Sequence, residues 1–241
     1  MASITASNQD IVFTTDQLPV KVTGMQAMAS KMWAPFIGMG FMLVAASFII
    51  GLIVSGVAAD YFAFSKEVRE TAAKGSDLAT DRAFIEATKA WLPTLKFLGM
   101  GMLLGGVTFL LATILGALRV GGGRVQEALG VEIKLIKPPV TARLFPMVMM
   151  MGMMILMAAL VIGIVLATLT YSYWNHSIAA ELNPSTGGLL SDLGTINAMK
   201  LWLEPFKFVG LALLLTSIGL ALATIVHVLR AQSSRLWDIL S

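Results

Sequence analysis

The sequence predicts an all-α integral membrane protein in which four transmembrane helices form two duplicated helical hairpins. Three observations predict it. Apolar residues make up 57% of the 241-residue chain and charged residues only 13%, against about 45–50% and about 25% in soluble domains, and mean hydropathy is +0.81. Four runs reach the roughly 20 apolar residues that cross a bilayer. The stretch 89–119 recurs as 200–230, an offset of 111 positions.

The N-terminal segment 1–31 is polar, with no early Lys or Arg and no apolar core of a signal peptide, so the first span is expected to direct insertion itself. That span, 32–59, ends at Asp60. The second, 97–118, lies between Lys96 and Arg119, and roughly 35 Å of helix separates those two charges at about 1.5 Å per residue. A basic inner loop, 120–143, follows. The third span, 144–171, begins after Arg143, and the fourth, 208–229, lies between Lys207 and Arg230, with a short C-terminal tail. Trp91, Lys96, Arg119, Trp202, Lys207 and Arg230 therefore read as membrane anchors, aromatic at one boundary and snorkelling cations at both. Tyr61, Phe62, Tyr171, Tyr173 and Trp174 join the aromatic belt.

Basic residues are nearly balanced between the two sides. The compact inner loop, with Arg119, Arg124, Lys134, Lys137 and Arg143, tips the balance. Both termini are thus expected in the cytoplasm, the membrane being a prokaryotic inner membrane.

The hairpins span 32–119 and 144–241. Without a gap, Lys89 matches Lys200, Trp91 matches Trp202, Lys96-Phe97 matches Lys207-Phe208, Gly99 matches Gly210, and Leu118-Arg119 matches Leu229-Arg230. Spans one and three align through Pro35 with Pro146 and, after a one-residue slip, Gly51 with Gly163. Trp, Lys, Phe and Arg at fixed spacing do not recur by apolar composition alone. Each repeat has an even number of spans, so the copies should be related by a pseudo-two-fold axis along the membrane normal.

Outside the spans, Thr80-Asp81 and Ser191-Asp192 read as helix N-caps, and Pro93 and Pro205 as kinks. The segments 77–92 and 191–203 would then be amphipathic platforms at the interface. Arg82 with Glu86, and Glu70 with Lys74, are expected i,i+4 ion pairs. The run 66–74 reads as a short solvated helix, and Gly121-Gly122-Gly123 as a break in the inner loop.

The chemistry open to this chain is narrow. It has no cysteine, and its two histidines, His176 and His227, fall near opposite membrane faces. The spans contain no Asp, Glu, Lys or Arg, the groups that mark ion paths and proton relays. The expectation is no catalytic residue, no cofactor and no nucleic-acid partner, the net charge of +3 being ordinary for basic loop ends. Span three is rich in methionine, and thioethers one turn apart could pass Cu(I). Met150 and Met154 are the weak candidates, but adaptable apolar packing explains the run better. Small residues recur in spans one, two and four, among them Gly38, Gly40, Ser47, Gly51, Gly101, Gly105, Gly106, Gly210, Ser217 and Gly219. Such positions let helices approach closely in lipid. The expected function is a non-catalytic accessory or structural subunit. It would pack against other transmembrane subunits of a larger complex, a respiratory or oxidative one being one candidate, or against its own copies. The alternative is a passive channel or a small-solute or Cu(I) transporter.

Overall fold

The computed structural model describes residues 24–128, 139–176 and 187–240. Most of the polar N-terminal segment and parts of both later loops lie outside them. Every regular element described is helical: α1 Gly24–Ala63, α2 Lys66–Glu70, α3 Asp77–Ala128, α4 Thr141–Trp174 and α5 Gly187–Leu240. All but α2 are long and apolar enough to cross a membrane. α3 and α5, at 52 and 54 residues, are roughly 80 Å long at about 1.5 Å per residue. Each far exceeds a hydrocarbon core of about 30 Å.

These lengths revise the expected boundaries. α3 starts at Asp77, where Ser76 Oγ accepts from Ala79 N at 3.4 Å, so Thr80 lies inside the helix. Gly75, at φ 75°, makes the turn before it. α3 then runs unbroken through Pro93 into the apolar span. Proline removes one backbone hydrogen bond, while Ala87, Ala90 and Leu92 before it and Leu98 after it are all buried, so packing on both sides carries the helix across. α5 likewise runs through Pro205 and begins at Gly187, ahead of Ser191. The segments 77–92 and 191–203 are continuous with the apolar stretches that follow them in α3 and α5.

The glycine run Gly121–Gly123 is helical too, and the helix continues to Ala128. α5 packs on it: Gln232 Nε2 donates to Leu118 O at 2.8 Å, and its side chain lies over Gly122, where a Cβ would meet it. The expected ion pairs also differ. Glu86 pairs with Lys89 at 2.7 Å, and Glu70 with Lys66 at 3.6 Å. α2 itself forms where a short helix was expected, capped by Ser65 Oγ, which accepts from Val68 N at 3.4 Å.

α1 and α3 pack antiparallel, as do α4 and α5, and α3 packs along both α4 and α5. The crossings are made by glycine. A Cβ on Gly40 would lie 2.8 Å from Leu103 N and 2.9 Å from Gly99 O; one on Gly152 would lie 2.9 Å from Gly210 O. Ser217 Oγ donates to Phe145 O at 2.9 Å, tying α5 to α4. The core is layered along the bundle: Ala90, Leu166, Tyr173 and Ile196 at the α2 end, Leu98, Leu156 and Leu214 in the middle, Leu115, Phe145 and Val228 at the far end.

α1 stands apart. It packs along α3 and makes no comparable seam with α4 or α5. A two-fold axis would pair α5 with α1 as it pairs α3 with α4, so the helices do not close symmetrically. The reason lies in α3, which has close-approach glycines on two faces: Gly99 and Gly106 meet α1, while Gly101 meets α4.

Candidate functional site

The small residues divide by what they meet. On α3, Gly101, Gly105, Thr108 and Ala112 follow one another at intervals of four, three and four, one stripe of a helix face, and all four are buried. A Cβ on Gly101 would strike Leu156 of α4, and one on Gly105 would touch Phe36 of α1 and Met153 of α4. On α5, Ala212, Thr216, Gly219 and Ala223 have the same spacing, and all four are exposed. Thr216 Oγ1 donates to Ala212 O at 2.8 Å, so the hydroxyl is satisfied within its own helix. Nothing lies within 4 Å of a Cβ built on Gly219, nor on Gly38 or Gly56 of α1. Gly40, Gly99, Gly106, Gly152 and Gly210, by contrast, are all occupied by neighbouring helices.

The large apolar side chains divide in a complementary way. α1 exposes Phe41, Phe48 and Leu52, and only 11% of its most apolar window is buried. On α4, Met149 is buried while Met150 and Met154 are 61% and 69% exposed. The two copper candidates thus face away from the bundle, and this placement gives a copper path through it no support. His176 Nδ1 lies 2.8 Å from Tyr173 O at the α2 end, and His227 is exposed towards the C-terminal end of α5.

Of the six expected anchors, Lys96, Arg230 and Trp202 are exposed and Trp91 and Arg119 half-buried. Lys207 is enclosed, at 2% exposure. Its Nζ donates to Glu204 Oε1 at 2.8 Å and sits 5.0 Å from the centre of the Phe97 ring. Phe97 in turn meets Phe208, 111 positions on, edge-on at 5.1 Å where α3 and α5 run side by side. Sequence spacing signals a basic residue at the head of each second span. It carries no sign that the second would be covered by a neighbouring helix.

The class these described residues define is an all-helical fold with four helices among them fit to cross a membrane. No family model, no curated protein and no solved structure matches it.

Proposed function

We propose that this chain is a non-catalytic packing subunit of a membrane assembly, built from two copies of one helical hairpin. The open stripe on α5 carries the reading. Ala212, Thr216, Gly219 and Ala223 stand 111 positions after Gly101, Gly105, Thr108 and Ala112, the face of α3 on which α4 is seated. The same stripe is filled in one repeat and open in the other. A glycine costs helix stability, about 1 kcal/mol relative to alanine, and close helix approach is what small residues provide in lipid. The duplication is supported by contacts as well as spacing: Gly40 meets Gly99 as Gly152 meets Gly210, and Val44 meets Gly99 as Leu156 meets Gly210.

The occupant of the stripe is a transmembrane helix with large apolar side chains, as α4 offers Leu156 and Met153 to α3. Native mass measurement of the full chain after gentle solubilisation tests this. We expect more than one chain, or co-purified membrane subunits, and we expect Ala212→Leu with Gly219→Leu to release the monomer. A monodisperse wild-type monomer without bound subunits would overturn the proposal. In this reading both termini are cytoplasmic and the membrane is a prokaryotic inner one, as the arginines flanking the inner loop favour. Single cysteines at Lys74 and Lys134 should then react with an impermeant thiol reagent from opposite sides; labelling from one side would refute the topology.

A further inference from the structure

The α2 end holds a second feature, independent of the assembly reading. A cleft of about 300 Å³ opens between the end of α1, α2, the start of α3 and the end of α4. Two arginines line it, from the consecutive elements α2 and α3. Arg69, from α2, lies against aromatic rings of α1, 5.3 Å from the centre of Tyr61 and 4.9 Å from that of Phe62. Arg82, from α3, stacks over Trp174 at 3.9 Å. A guanidinium supported by a ring can still donate its N–H groups to a second partner.

Neither guanidinium has a carboxylate within ion-pair distance among the described residues. The two acids of the cleft are taken by lysines, Glu70 by Lys66 and Glu86 by Lys89. The positive charge left over is therefore that of the arginines. Two arginines on aromatic supports, beside acids that already pair with lysines, make a site for an acceptor anion.

We infer that this cleft binds a phosphate group, held by Arg69 and Arg82 through charge-assisted hydrogen bonds. Arginine forks match phosphate oxygens two at a time. The place fits as well: Tyr61, Phe62 and Trp174 are aromatic residues at the ends of two membrane-length helices, the depth at which headgroups lie. The phosphate has two sources, an anionic phospholipid headgroup or a soluble phosphate.

The test uses the full, delipidated chain in detergent, with phosphatidylglycerol and inorganic phosphate as separate probes read by native mass and by melting temperature. Arg69→Gln with Arg82→Gln should weaken binding of at least one probe by about tenfold or more, the scale of a lost charge-assisted hydrogen bond. Arg143→Gln with Arg230→Gln, which removes the same charge elsewhere, should leave it unchanged. Preference for phosphatidylglycerol assigns a lipid headgroup, and a melting rise with inorganic phosphate alone assigns a soluble ligand. Should the double variant lose monodispersity, Arg82→Lys and Trp174→Phe serve instead. The first keeps the charge without the planar fork, the second leaves a smaller ring under Arg82, and each should weaken binding several-fold. Equal binding by wild type and the folded variants, or binding of neither probe, would overturn the site.

Discussion

At the scale of the residue, position decides what a glycine does. Gly38 and Gly40 are two apart on α1, yet a Cβ on Gly40 would press on the backbone of α3, while one on Gly38 meets nothing within 4 Å. Backbone cannot turn aside as a side-chain tip can, so Gly40→Ala should destabilise the monomer by about 1–3 kcal/mol, the usual cost of overpacking. Gly152→Ala should behave alike, because it presses on Gly210 O. Gly38→Ala should be neutral or gain up to about 1 kcal/mol from helix propensity. Denaturation of the detergent-solubilised monomer checks all three, and equal effects at Gly38 and Gly40 would contradict the packing. The sequence marks these glycines as contact positions without saying which contact each makes. The information missing is the identity of the neighbouring helix, which depends on the whole arrangement. Arg82 shows the same limit: its local partner by spacing is Glu86, but Trp174, 92 positions away, takes its guanidinium.

At the scale of the element, the four helices long and apolar enough to cross a membrane could be read from apolar runs, because a bilayer sets a length threshold that few soluble helices meet. Their ends could not. Cap and breaker signals are worth about 1 kcal/mol each, and a long seam of buried side chains outweighs them. Thus Thr80 and Ser191, plausible caps by type, fall within helices, and Pro93 and Pro205 interrupt neither α3 nor α5. Gly121 offers a clean measurement of the point. It is exposed and helical, with nothing within 4 Å of an added Cβ. If the segment is helix, Gly121→Ala should raise stability by about 0.5–1 kcal/mol and slow amide exchange in the turns around it. A loss of stability would mean that the glycine run serves as the hinge its composition suggests.

At the scale of the molecule, Trp, Lys, Phe and Arg recurring at an offset of 111 were legible, but the packing of the matched helices was not. Symmetry of sequence suggested a two-fold arrangement; among the described residues α1 instead packs chiefly along α3, and one stripe of α5 faces outward. If a second copy seats on this chain, the open stripe on α5 and the exposed face of α1 would be the two halves of one seam. Matching positions carry the α3–α4 seam onto it: Gly105 corresponds to Thr216 at the offset of 111, and Met153 to Phe41 after the one-residue slip. Gly105 and Met153 meet within the chain, an added Cβ lying 3.8 Å from the sulfur. If a second copy occupies the stripe, Thr216 of one chain should lie beside Phe41 of the next. Such a contact joins two different surfaces, so it repeats from copy to copy until it closes into a ring or runs on in the membrane plane. The chain has no cysteine of its own, which makes the experiment unambiguous. Phe41→Cys with Thr216→Cys in one chain should give, on mild oxidation in the membrane, a ladder of disulfide-linked dimers and higher multimers. Either substitution alone should give at most a symmetric dimer. Monomer alone from the double variant would place a different subunit on the stripe, and the co-purified partner would then identify it.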